Sequence, residues 1–385
     1  MKRILTVICA FLLISTLSAQ QNVRYDNLRK VFVSGTITDK TEVMEKAASE
    51  PGAESLIFDG LLFADTYADL LGNEQSMKAL AASAVVNADL CDSAETLTLV
   101  MSIFQKYPDQ SVRQACLNYL LKSKRAVDKV VTPVESYARE LLDEGVLEEE
   151  LMLSCIAVLN KLHSNSTFRV FFDYASSGFV TEEIQSKAHE AMNSLSDVYR
   201  INMLSIISDS SVPKKLSALK MVLLNETTSD VLRAEAAETA LSTSIIHVGD
   251  TFDASLTDLQ MVALEELRRL SWTRAANLVA NYFTVAKGEF EAGIMPPGQF
   301  IEVIEAVQEL AVVKAGSLFT DYLNACNTNV ENGLSCSVPV VLAVINSLGA
   351  LGDKVSFDAL LYVSYVPYPD EVVIASREAL ARLKW

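Results

Sequence analysis

After the first twenty residues, apolar side chains recur at intervals of three and four along nearly the whole chain, and runs that alternate apolar with polar are few. That period is the signature of helices that bury one face. The breaks between these runs are short and carry turn chemistry, as in YPDQ at Tyr107 to Gln110, SSG at Ser176 to Gly178 and YPD at Tyr368 to Asp370. Helices joined this tightly fold back on one another as antiparallel pairs. The pattern therefore predicts an all-α chain.

The runs also resemble one another. In the ending EVVIASREALARL, the positions Val372, Ala375, Ala379, Leu380 and Leu383 fall, when shifted back by 32 residues, on Val340, Ala343, Ser347, Leu348 and Leu351. The same frame lies on Leu151, Ser154, Val158, Leu159 and Leu162, on Val112, Ala115, Tyr119 and Leu120, and more weakly on Ile184, Ala191, Met192 and Leu195. The following helix recurs too: Leu267, Leu270, Leu278, Val279 and Tyr282 match Val307, Leu310, Leu318, Phe319 and Tyr322 at a shift of 40. Matches at several shifts between 32 and 41 predict two-helix units stacked in a row, an α-solenoid. A small residue at the Ala115, Ser154 and Ala343 position lets neighbouring helices approach closely.

The stretch SLGALGDKVSFDALLYVSYVPYPDEVVIASREAL carries the clearest unit. Its LGALGD corner at Leu348 to Asp353, the pair Leu360 and Leu361, the PD turn at Pro369 and Asp370, and the V…A…AL frame resemble the short bacterial repeats of the HEAT superfamily. SDVLRAEAAETAL at Ser229 to Leu241 is similar. The resemblance implies a HEAT-like or armadillo-type superhelix over residues 94–385, with residues 20–93 as an N-terminal helical cap whose polar start is partly disordered. An array needs such a cap because its end unit has no neighbour. One unit reads as irregular near 242–258, where IIHVGDTFDAS replaces the expected helix.

The GALG segment poses a choice between a loop that cradles a phosphate or nucleic-acid backbone and a helix corner. Its neighbours are Leu, Asp and a single Lys, so the basic surroundings of a nucleic-acid loop are missing. Gly352 is expected to leave the helix at positive φ and Asp353 to cap the next one.

Residues 1–19 read as a secretory signal: Lys2 and Arg3, an apolar run from Ile4 to Ile14, and a small, polar exit with cleavage after Ala19. The protein is then periplasmic or secreted, with no integral membrane segment after cleavage. The whole chain holds 32 basic and 49 acidic residues, a net charge of -17. Such a balance repels nucleic acid.

Candidate chemistry is sparse. Ser211 to Lys214 reads SVPK, but the SDN and KTG elements of penicillin-recognising hydrolases are absent, and Ser211 reads as a helix cap before Pro213. His163, His189 and His247 lie in different units, and no HExxH or CxxC occurs. The acids Glu148 to Glu150 and Glu182 to Glu183 fall at helix starts, where carboxylates meet the positive end of the dipole. No catalytic residue, metal ligand or cofactor is assigned. Five cysteines follow the signal: Cys326 and Cys336 bracket a polar segment and are placed to bridge, while Cys91, Cys116 and Cys155 read as core. Trp272 and Trp385 read as plugs between units and at the chain end.

Basic residues are the scarcer charge. Arg233, Arg268 and Arg269 are expected on a groove for an acidic peptide or protein, against the plainer reading of solvated helix flanks. The function expected is an exported scaffold that holds a protein or peptide on its concave face, without catalysis. Two alternatives are an enzyme or ligand-binding accessory, as the similarity to phycobilin lyases would imply, and a self-associating structural envelope protein.

Overall fold

The computed structural model describes residues 23–384, apart from Pro51, Ala53, Ala126, Val146 and residues 248–250. The expected signal segment and Trp385 therefore lie outside the described residues. Among those described the chain is all-α; extended pairing is limited to an isolated parallel bridge between Asp353 and Lys384. Two compact units divide between Tyr199 and Arg200.

The first unit opens with α1 over residues 23–34. It continues with α2 (Ile37–Ala47), α3 (Glu54–Leu71), α4 (Gln75–Val86), α5 (Ala94–Lys106), α6 (Gln110–Lys122), α7 (Val131–Asp143), α8 (Glu149–Leu162), α9 (Phe168–Ser176) and α10 (Glu182–Ser194). Hairpins form from α3 with α4, α5 with α6, α7 with α8 and α9 with α10, while α2, α4, α6, α8 and α10 each pack on the next of their series. The polar start of the chain is helical from residue 23, where disorder is expected, because Phe32 is buried and sets its ring edge-on to Phe63 at 6.3 Å.

A helix α11 (Ser196–Asp209) crosses the division. The second unit holds α12 (Val212–Leu224), α13 (Asp230–Ser244), α14 (Ala254–Arg269), α15 (Ala276–Glu291), α16 (Pro297–Leu310), α17 (Val312–Glu331), α18 (Val338–Leu351), α19 (Phe357–Tyr362) and α20 (Asp370–Ala381). The alternation repeats: α13 pairs with α14, α15 with α16, α17 with α18 and α19 with α20, and the even helices pack in series.

Most positions that share a frame go inside, although Leu162, Ala343, Leu351, Ala375 and Leu380 are half-buried. Val112, Leu120, Val158, Leu159, Ile184, Ala191, Val340, Leu348 and Val372 are fully buried. Side-chain bonds between hairpins keep the same interval. The Tyr107 hydroxyl donates to the Ala64 carbonyl, 43 residues away, and the Tyr174 hydroxyl to that of Ala138, 36 away, both at 2.8 Å. Gln114 Nε2 donates to Ser154 Oγ across 40 residues, Asn327 Nδ2 to the Ala359 carbonyl across 32. These bonds fasten neighbouring hairpins to one another within each unit.

The corners have one construction. After α8, α14 and α18 a single residue turns left-handed, His163 at φ 52°, Ser271 at 49° and Gly352 at 68°. A short 3-10 turn follows, at Asn165–Thr167, Thr273–Ala275 and Lys354–Ser356, and the next helix begins. GALG is such a corner: Gly352 ends α18 and the Asp353 carboxylate accepts from the Val355 amide at 3.0 Å. Gly349 serves packing instead, since a β-carbon there would lie 3.0 Å from Ala379.

In the segment near 242–258, where one unit is expected to be irregular, Ile245–His247 form a 3-10 turn, residues 248–250 lie outside the described residues and Asp253 caps α14. Asp230 at the start of α13 lies 3.7 Å from Arg269 at the end of α14, as antiparallel helices require. Ser229–Leu241 falls on α13, the first helix of its pair, whereas the ending frame falls on α20, the second.

Candidate interaction surface

The three arginines expected to face a partner are held within the chain. Arg268 makes a forked pair with Glu309, at 2.7 and 3.1 Å, and reaches Glu305 at 3.2 Å. Arg269 forks onto Glu266 at 2.7 Å and approaches Asp230. Arg233 donates to the Asn225 carbonyl at 3.0 Å and leaves its Nε buried without an acceptor. An incoming carboxylate would have to displace carboxylates already in place. Bidentate pairs of this kind are the strong form of the interaction, and the hydrogen bonds to Glu309 and to Glu266 raise the pKa of Arg268 and of Arg269. Trp272 is likewise engaged at its corner, its indole N–H donating to Glu238 at 2.8 Å with Arg274 4.8 Å above the ring.

The other sequence candidates resolve simply. Ser211 occupies the N-cap position of α12 without a side-chain capping bond. Glu148 occupies the N-cap position of α8 without a side-chain capping bond, with Glu149 and Glu150 in its first turn, and Glu182 and Glu183 open α10. Cys91, Cys116, Cys155, Cys326 and Cys336 are all free thiols, so the bridge expected between Cys326 and Cys336 stands open. Among the described residues no helix is long and apolar enough to cross a membrane.

A different surface has the makings of a site. On the even helices of the first unit a cleft of about 470 Å³ is lined by Val86, Gln110, Ser111, Gln114, Ala115, Asn118, Glu148, Glu150 and Leu151. Gln110, Gln114 and Asn118 are four residues apart, so α6 sets their carboxamides in one stripe along the cleft. The stripe is tied to α8: Gln110 Nε2 donates to Glu148 and Gln114 Nε2 to Ser154 Oγ at 2.8 Å. Gln114 Oε1 is buried with no donor of its own. Further along, Ser194 on α10 donates to Asn160 Oδ1 on α8 at 2.8 Å.

The adjoining field is acidic. A smaller cleft of about 210 Å³ beside the first is lined by Gln110, Arg113, Tyr137, Glu140, Glu144 and Glu148 among others. Its one cation is spoken for: the Arg113 guanidinium lies 4.2 Å from the Tyr137 ring centre and 3.7 Å from Glu140. Burial raises the Tyr137 hydroxyl although Arg113 pulls it down. Asp109, at the start of α6, goes the other way: burial alone would raise it, but bonds from Ser111 and Val112 and the nearby Lys78 lower it, so it stays charged.

The amide stripe was open to sequence reasoning, since Gln110, Gln114 and Asn118 recur every fourth residue on an amphipathic helix. Polar spacing of that sort is masked by the stronger apolar period around it. Its tie to Ser154 depends on which helix follows in the stack and has no local signal.

No protein-family model matches the chain, and no characterised protein matches it either.

Proposed function

We propose that this chain is an exported, HEAT-like α-solenoid scaffold that binds an extended, cationic peptide segment of another protein along its even helices, without catalysis. The observation that carries the reading is the carboxamide stripe of α6 with an acceptor, Gln114 Oε1, buried at the cleft and lacking a donor. Carboxamides pair with both halves of a peptide backbone, and a buried acceptor without a partner costs about 1–3 kcal/mol until one arrives. The atom is covered by its own chain, so a peptide N–H would fill it as the carboxamide turns toward the cleft. Arginines that are bound within the chain leave the excess of acid unopposed, and a net charge of -17 draws basic partners. The stacking reading is supported by bonds between hairpins at intervals of 32 to 43 residues. Export rests on the first nineteen residues of the sequence.

An array of immobilised peptides, graded from acidic to basic, tests this with the purified protein. Basic peptides should be retained, retention should fall with salt, and Gln114→Ala should weaken it about five- to tenfold, the worth of one hydrogen bond. Equal retention by the wild type and by Gln114→Ala would remove the cleft from consideration. A second reading, self-association, draws on Val312 and Val313, 57% and 98% exposed beside a cleft of about 420 Å³. Light scattering at rising concentration separates the two.

A further inference from the structure

We propose that Cys326 and Cys336 form a reversible redox site, two thiols placed to close an intrachain disulfide by exchange with a low-molecular-weight disulfide. The end of α17 brings them together. Gly333 at φ 77° turns the chain, with its amide bonded to the Val330 carbonyl at 3.0 Å and that of Leu334 to Asn329 at 2.9 Å. The chain doubles back, and the Cys336 thiol donates to the Cys326 carbonyl oxygen at 3.7 Å. Beside both sulfurs the Tyr368 hydroxyl is buried without a hydrogen-bond partner.

The two thiols differ in access, which orders the exchange. Cys336 is half-buried and Cys326 is 4% exposed. The Cys336 thiolate attacks one sulfur of the small disulfide, forming a mixed disulfide and releasing one small thiolate. Cys326 then gives up its proton to solvent, attacks Cys336 Sγ and expels the second small thiolate. Both protein thiols are oxidised, and the small disulfide is reduced to two thiols. Burial, with Cys336 alongside, pushes the Cys326 thiol up to about 12, so it acts second and only on a sulfur already at hand. The bond would pin the connection between α17 and α18.

The full chain, incubated with glutathione disulfide, is alkylated, digested with trypsin and weighed. Both cysteines lie on one tryptic peptide, Ala315–Lys354, because no Lys or Arg falls between them. The peptide should appear two hydrogen masses lighter and refuse the alkylating reagent, and dithiothreitol should restore it. In Cys336→Ser, Cys326 should stay reduced. The proposal is overturned if both thiols of the wild type remain alkylatable, if glutathione stays attached at Cys336, if the bond joins two chains, or if Cys326 pairs elsewhere.

Discussion

Gly288 and Gly349 both sit inside helices, yet a methyl group added at the two should act in opposite directions. Gly288 of α15 has nothing within 4 Å of a built β-carbon, whereas one at Gly349 of α18 meets Ala379 of α20 at 3.0 Å. Gly288→Ala should gain about 0.5–1 kcal/mol from reduced freedom of the unfolded chain. Gly349→Ala should lose about 1–3 kcal/mol by forcing two helices apart. Midpoints of urea unfolding for the two variants read both signs. His189 gives a pH test on the same scale. Burial lowers its pKa from 6.5, so in acid the unfolded chain takes up the proton first. Its contribution is whole above that value and is lost as the pH falls through the folded one. His189→Gln should flatten this slope, seen as a urea midpoint that drops less between neutral and mildly acidic pH than that of the wild type. Residues of this kind are unevenly legible. Gly352 announces its corner because glycine alone turns left-handed without strain. His163 and Ser271 make the same turn with side chains and send no such signal.

Helices meet across hairpins through a few buried tips. Tyr107 at the end of α5 and Tyr174 in α9 each donate to the backbone of the preceding odd helix, at Ala64 and Ala138. Lys161 of α8 does the equivalent for α6, its ammonium donating to the carbonyls of Leu120, Leu121 and Ser123, which the helix itself cannot satisfy. Tyr107→Phe and Tyr174→Phe should each cost about 0.5–1.5 kcal/mol, the net value of a hydrogen bond. If each hairpin depends on its neighbours alone, the double variant should cost the sum to within about 0.5 kcal/mol. A clear excess in the double-mutant cycle would mean that the core is shared more widely. At this scale the helices and their buried frames were open to reading, because burial imposes period. The phase of α13 was not: first and second helices of a pair bury similar stripes, and what tells them apart is that α14 packs on both α12 and α16.

Over the whole molecule, charge and stacking lead to one measurable consequence. Arg200, Arg268, Arg269 and Arg274 bind glutamates of neighbouring hairpins or of their own helix. Cations spent as fasteners leave the net charge of -17 as the dominant outward field. Exposed single-contact pairs are each worth about 0–1 kcal/mol and the forked ones more, and both are screened by salt. Salt should therefore loosen the fasteners slightly and a bound cationic peptide far more, which makes retention on a peptide array the sensitive reading and unfolding the insensitive one.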